Sequence, residues 1–167
     1  MIDPFLVWLE NTALSQWVVG SESMLAFPGI LALHAIGMGL AAGLAAVLDL
    51  RILGVASGVP LVEFRRFQPV LWGGFWLNAV SGVLLLVGYP TKALTNPVFY
   101  LKLLLIAVGL VLFVRIGRRV FDEAAGDERA RLPMVKRLAI VSLVCWVGAI
   151  TAGRFLAYTY SRLTALD

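Results

Sequence analysis

The chain has 167 residues, of which 60% are hydrophobic and only 14% are charged, and its mean hydropathy is +0.91. Soluble globular proteins are about half apolar and about a quarter charged, so this composition excludes an ordinary soluble protein and predicts an integral membrane protein. The net charge of +4 comes from basic residues that flank apolar segments, which excludes a basic patch for nucleic acid.

The first predicted element is an interfacial helix at residues 3–19. The stretch "DPFLVWLENTALSQWVVG" mixes apolar and polar positions, places Pro4 near the helix start, and offers Trp8 and Trp17 as anchors at the membrane surface. The first twenty residues contain no Lys or Arg and no small-residue cleavage motif, so we expect no cleaved signal peptide.

Four apolar stretches follow, and each is long enough for a helix to cross a bilayer core, which needs about 17 to 25 residues. They occupy residues 24–50, 69–89, 98–114 and 138–160. We therefore predict an all-α fold, an integral membrane four-helix bundle with an N-terminal periplasmic amphipathic helix, in a single membrane domain of residues 1–167.

The loops predict the orientation of this bundle, because short loops rich in Lys and Arg stay on the cytoplasmic side. Basic residues follow the first and third spans, whereas the other side has only Lys92 and Arg162. We expect a multi-pass protein of the bacterial inner membrane with both termini in the periplasm. The basic residues on the cytoplasmic side are Arg51, Arg65, Arg66, Arg115, Arg118, Arg119, Arg129, Arg131, Lys136 and Arg137.

Ionisable residues inside the apolar spans are costly, and they usually mark function. At a rise of about 1.5 Å per residue, His34 falls within about 5 Å of the midpoint of its span, and Lys102 and Arg154 fall roughly 6 to 8 Å from theirs. All three lie on the periplasmic side, and Asn78 is at mid-depth of the second span. We predict one polar layer to which every span contributes.

This layer has two cations and no carboxylate of its own. Either Glu10 and Glu22 of the N-terminal segment neutralise the cations, or an acidic ligand does so, such as a haem with its propionates. Tyr158 follows Arg154 by four residues and would orient its guanidinium group. Each cation, taken alone, also fits a simpler interpretation as an interfacial anchor.

His34 is the only histidine and allows three interpretations. As an axial ligand it permits a five-coordinate haem or a mixed ligand pair, and it excludes a bis-histidine cytochrome. Met38, one helical turn later, would join His34 at a Cu(I) site. As a structural residue, His34 would only hydrogen-bond neighbouring helices. Close helix packing is expected from Gly39 and Gly43 at GxxxG spacing and from Gly37 with Ala41, within the bundle or, less favoured, in a dimer.

Several motifs resemble an uncharacterised family of small bacterial four-span inner-membrane proteins. They are "LALHAIGMGL", "LDLRILG", "GGFWLNAVSGVLLL" and "LTNPVFYLKLLLIAVGL", and they extend roughly over residues 21–115. A more distant similarity, through "LHAIG", "EFRRF" and "YLKLLL", connects the chain with haem-containing membrane protoporphyrinogen oxidases and with copper-resistance D-type membrane domains.

The similarity to the oxidases implies functional roles for His34 and Lys102. The histidine that those oxidases carry in the third span is replaced by Phe99 or Tyr100, and Arg154 has no counterpart, so porphyrinogen oxidation does not carry over.

The leading functional prediction is a haem b or tetrapyrrole site formed by His34, Asn78, Lys102, Arg154 and Tyr158. It would transfer electrons between a quinone and a periplasmic redox partner, and no residue is assigned a catalytic role. The first alternative is a non-enzymatic accessory subunit of a membrane complex, and the second is a copper-handling protein that uses His34 and Met38.

Overall fold

The computed structural model describes residues 4–122 and 128–163, with side chains except at 122, 128–131, 157 and 159–163. Within these ranges the chain is helical and contains no strand, which confirms the all-α prediction. Three basic side chains that the topology prediction uses, those of Arg129, Arg131 and Arg162, lie outside the described set.

The N-terminal segment forms two helices, α1 (Pro4–Glu10) and α2 (Ala13–Gly20), where one helix over residues 3–19 was expected. Thr12 explains the break. Its backbone is extended, its hydroxyl donates to Leu9 O at 2.7 Å, and the same oxygen accepts from Ser15 N at 3.3 Å. One side chain therefore ends α1 and caps the N-terminus of α2.

Four helices are long and apolar enough to cross a membrane, which confirms the predicted number of spans. The third candidate stretch, Pro97–Phe121, is longer than the predicted 98–114. Asn96 begins it by accepting from Val98 N at 3.0 Å, and Gly54 ends the first span in a left-handed conformation with φ of 111°. The helices are α3 (Phe27–Leu53), α4 (Gln68–Gly88), the short α5 (Pro90–Leu94), α6 (Pro97–Gly117) and α7 (Glu128–Leu163), with a 3-10 segment Leu61–Phe67 before α4 and a π-helical turn Arg118–Asp122 after α6.

The four long helices alternate in direction. We call the ends near Arg51, Arg65 and Arg115 the basic end, and the ends near α1 and α2 the opposite end. Helix α3 packs along both α4 and α7, and α6 packs along α7. An apolar core fills the basic half of this array: Ala42, Ala45, Leu48, Ile52, Leu71, Phe113, Ile116, Val135, Ala139 and Trp146.

Glycines set the closest approach between α3 and α4. A Cβ atom on Gly37 would lie 2.5 Å from Asn78 N and 2.7 Å from Gly74 O, so no larger residue fits this crossing. Of the two predicted pairs, Gly37 with Ala41 makes this contact, and a Cβ on Gly74 would lie 3.0 Å from Ala41 N. The pair Gly39 and Gly43 does not, because a Cβ on either would meet no atom of the described residues within 4 Å. The contact therefore lies on the neighbouring face of α3.

The N-terminal helices dock at the opposite end. Val18 of α2 is fully buried, and Gly88 makes room for it at the end of α4, where a Cβ would lie 2.8 Å from Val18 Cγ1. Phe5 and Trp8 of α1 stack with their centroids 5.8 Å apart and stay exposed. The segment therefore has an inner face that packs on the end of α4 and an outer face with exposed aromatic residues.

Candidate functional site

His34 lies on α3, one turn nearer the opposite end than the glycine crossing, and its imidazole is held by α4. Its Nδ1 is 3.0 Å from Asn78 O and 3.2 Å from Ser81 Oγ. A backbone carbonyl only accepts, so we assign the proton to Nδ1, which donates to Asn78 O. This tautomer leaves the Nε2 lone pair available on the far side of the ring.

Asn78 forms a second hydrogen bond between α4 and α3. Its side-chain Nδ2 donates to His34 O at 2.7 Å, and the residue is buried. Ser81 donates to Leu77 O of its own helix at 2.6 Å, so its oxygen also remains an acceptor for the imidazole. The backbone and the side chain of His34 are thus both fixed by one turn of α4.

Gly82 provides the space for the imidazole. A Cβ atom at this position would lie 3.1 Å from His34 Cε1 and 3.4 Å from Nδ1. Sequence reasoning missed this residue, although Gly82 follows Asn78 by four positions and therefore lies on the same face of α4.

Lys102 approaches the other edge of the ring from α6. Its Nζ is 3.4 Å from His34 Nε2, so the ammonium group donates to the Nε2 lone pair. The Lys102 stem runs beside Gly153 of α7, where a Cβ would lie 3.7 Å from Lys102 Cε and 3.8 Å from Nζ. The site thus combines residues of all four spans, and Gly153 is a second contributor that the sequence did not reveal.

Neither of the two carboxylates expected to neutralise the cations reaches this lysine. No carboxylate of the described residues forms an ion pair with Lys102. Glu22 is exposed, and Glu10 is joined to Gln16 through its backbone oxygen, at 3.0 Å. Lys102 is half-buried and has a neutral histidine as its hydrogen-bond partner.

Two of the predicted site residues lie outside this contact network. Arg154 and Tyr158 of α7 are both exposed, and neither hydrogen-bonds to His34 or Lys102 in the described part of the chain. Arg154 directly follows Gly153, which borders the Lys102 side chain, and the Arg154 side chain is exposed. Met38 is partly buried and packs against the apolar core of the basic half.

The arrangement offers one imidazole nitrogen with an oriented ring and one cation beside it. Hydrogen bonding of Nδ1–H to a backbone carbonyl is the arrangement that metal-ligating histidines use to fix their tautomer. Among the described residues no group of three or more His, Cys, Asp or Glu side chains could hold a metal ion. His34 Nε2 is therefore a single candidate nitrogen ligand, with Lys102 beside it.

The chain was compared with family models, curated proteins and solved structures, and it matches none of them.

Proposed function

We propose that this protein binds haem b or a related tetrapyrrole in the periplasmic half of the bacterial inner membrane, with His34 Nε2 as the axial ligand. The observation that carries the proposal is the orientation of the ring. The bond from Nδ1 to Asn78 O leaves the lone pair on Nε2, where it accepts from the half-buried ammonium group of Lys102. An imidazole held in this way loses little freedom on binding iron.

The charge of Lys102 supports an acidic ligand. A half-buried ammonium group without a carboxylate partner is costly in an apolar span, and a haem propionate would supply the missing charge. Lys102 must leave Nε2 for iron to bind, and its flexible four-carbon stem allows this movement. Arg154, beside Gly153 on α7, is the second cation that we assign to the propionates.

Bound haem would supply one-electron chemistry, and the role that we propose is electron transfer between a quinone and a periplasmic redox partner. The protein residues would bind and orient the group. His34 would hold the iron, Asn78 and Ser81 would keep the imidazole in its tautomer, and Lys102 would hold a carboxylate. Tyr158 remains assigned to the guanidinium of Arg154.

The test is an absorption spectrum of the protein purified from haem-replete cells, with elemental analysis. We expect a Soret band that His34→Gly abolishes and that added imidazole restores in that variant. Imidazole rescue separates loss of the ligand from loss of the fold. The matched control is Met38→Leu, which alters the same face of α3 and should keep the band. Colourless wild-type protein without metal overturns the proposal.

A second candidate function is that of a non-enzymatic accessory subunit of a membrane complex. The bond from Asn78 Nδ2 to His34 O favours it, because that bond ties α3 to α4 without any ligand. This candidate predicts that His34→Ala keeps the fold and the partner contacts. A pull-down in detergent that recovers only this chain counts against the accessory-subunit function.

The copper alternative predicts that the reduced protein retains copper. Elemental analysis that finds no copper excludes this alternative.

A further inference from the structure

Asp49 is a carboxyl group inside the first span that the proposed haem site does not use. It lies on α3 toward the basic end, and only 2% of its surface is exposed. Its neighbours Leu48 and Ile52 belong to the apolar core. A carboxyl group at such a position is rare in a membrane helix and usually marks a function.

Ser142 of α7 is the polar side chain beside this carboxyl group. It is fully buried, and neither Ser142 Oγ nor Asp49 Oδ2 has a hydrogen-bond partner among the described residues. Buried polar atoms are almost always satisfied, so we expect these two neighbouring groups to bond to each other or to a ligand that both contact.

No cation of the described residues forms an ion pair with the carboxyl group. Arg51, two residues later, is engaged elsewhere, because its Nε donates to Val59 O at 2.6 Å and its Nη2 to Ser57 O at 2.8 Å. Helix α4 contains no charged residue, and Glu63 of the 3-10 segment pairs with Arg66. Among the described side chains of the neighbouring elements toward the basic end, Arg119 donates to Met134 Sδ at 2.7 Å. The others are exposed: Arg65, Arg115, Arg118, Lys136 and Arg137.

Three ligands would satisfy the two oxygens: a metal cation, a water molecule or a proton. A hard cation needs about six oxygen ligands, whereas this interface offers the oxygens of two side chains. A water molecule would fill the hydrogen bonds and leave the negative charge unpaired in a medium of low dielectric constant. A proton removes the charge and gives the carboxyl group a donor for its neighbour.

We propose that Asp49 and Ser142 form a proton-binding site between α3 and α7, in which the neutral carboxyl group of Asp49 donates its O–H to Ser142 Oγ. The carboxylate takes up one proton from solvent at the basic end, where α3 ends four residues later, and no other bond changes. Release of the proton leaves a charge between two packed helices, so the α3–α7 contact weakens. The site is about 22 Å along α3 from His34 and does not depend on the haem proposal.

The first test is infrared spectroscopy of the purified protein in lipid nanodiscs over a pH series. We expect the carbonyl stretch of a protonated carboxylic acid in the wild type, with a downward shift in heavy water. Asp49→Asn should remove this band, and Glu63→Gln, the matched control at an exposed carboxylate of the basic end, should keep it. Ser142→Ala should shift its frequency, because the carboxyl group loses its acceptor.

The infrared spectra test the proton site even if the Asp49→Asn variant does not fold. The wild type and Ser142→Ala alone then assign the band, since only a carboxyl group bonded to Ser142 shifts. The proposal is overturned by a wild-type spectrum with no acid carbonyl at any pH, by a band that survives Asp49→Asn, or by a band that Ser142→Ala leaves unmoved.

The second test is thermal unfolding as a function of pH. The folded wild type retains a proton that the solvated carboxyl group of the unfolded chain releases, so its stability should fall as pH rises. Asp49→Asn resembles the protonated form and should flatten this dependence, whereas Glu63→Gln should retain it. Equal slopes for the wild type and Asp49→Asn contradict the site.

Discussion

His34 Nε2 and Lys102 Nζ are 3.4 Å apart, although the two residues are 68 positions apart in the chain and belong to different spans. The contact joins a hydrogen-bond donor and a lone pair within two candidate spans, and no carboxylate of the described residues forms an ion pair with Lys102. Whatever binds at this point must displace the lysine from the imidazole, or be held by the two together.

Lys102→Gln removes the charge at this contact and keeps a hydrogen-bond donor. A hydrogen bond to a charged group contributes about 1.5 to 3 kcal/mol, so we expect haem affinity to fall about 10- to 100-fold. The position of the Soret band should not change, because the iron keeps its ligand. Titration of the apoprotein with haem measures both effects. Lys92→Gln is the control, and an equal loss in that variant would contradict a specific role for Lys102.

The tautomer of His34 can be measured by nitrogen-15 NMR of histidine-labelled protein, because His34 is the only histidine and its signals need no assignment. The bond to Asn78 O predicts a protonated Nδ1 and an unprotonated Nε2 in the ligand-free protein. Gly82→Ala should move both resonances, because its Cβ presses on Cε1 of the ring. Gly73→Ala on the same helix meets no atom within 4 Å and should leave them in place. The opposite tautomer would contradict the geometry of the site.

Gly37→Ala should disrupt the crossing of α3 and α4. The added Cβ meets backbone atoms that cannot rotate away, and overpacking of this kind costs about 1 to 3 kcal/mol. Gly39→Ala places the same methyl group in open space and should be neutral or stabilise the helix by up to about 1 kcal/mol. Unfolding in mixed micelles compares the two, and equal stability of both variants would argue against this crossing.

Asn78→Ala removes the interhelical bond to His34 O and leaves that carbonyl without its side-chain donor. Hydrogen bonds between membrane helices contribute about 0.6 kcal/mol on average and about 1.7 kcal/mol at most, so we expect a loss in this range. Ser81→Ala should cost less, since the Ser81 hydroxyl donates to the backbone of its own helix. Measured unfolding free energies that rank the variants in the reverse order would contradict this assignment.

The level of the polar residues along the bundle was predictable from the sequence. A helix rises by a constant amount per residue, so His34, Asn78 and Lys102 could be assigned to one layer before any contact was known. The structure joins these three residues by hydrogen bonds. The four spans were also predictable, because the length and the hydropathy of a helix are enough to identify a candidate span.

The rotation of each helix about its axis was not predictable. The spans are apolar all around, so no polar stripe shows which face meets a neighbour. This is why the sequence offered two pairs of small residues on α3, Gly37 with Ala41 and Gly39 with Gly43, and did not show that Gly37 makes the crossing. It is also why Arg154, expected in the polar layer beside Lys102, is exposed. The break at Thr12 was missed for a different reason, since a threonine caps a helix only when its backbone is extended.

The pairing of the spans also has a consequence for how the protein is made. The contacts of α3 with α4 and of α6 with α7 join helices that are neighbours in sequence, so each pair can form as a helical hairpin while the chain is still being inserted. The docking of α3 on α7 then unites two preformed halves. Two separately translated fragments, divided in the segment of α5, should therefore find each other in the bilayer and rebuild the site of His34 and Lys102.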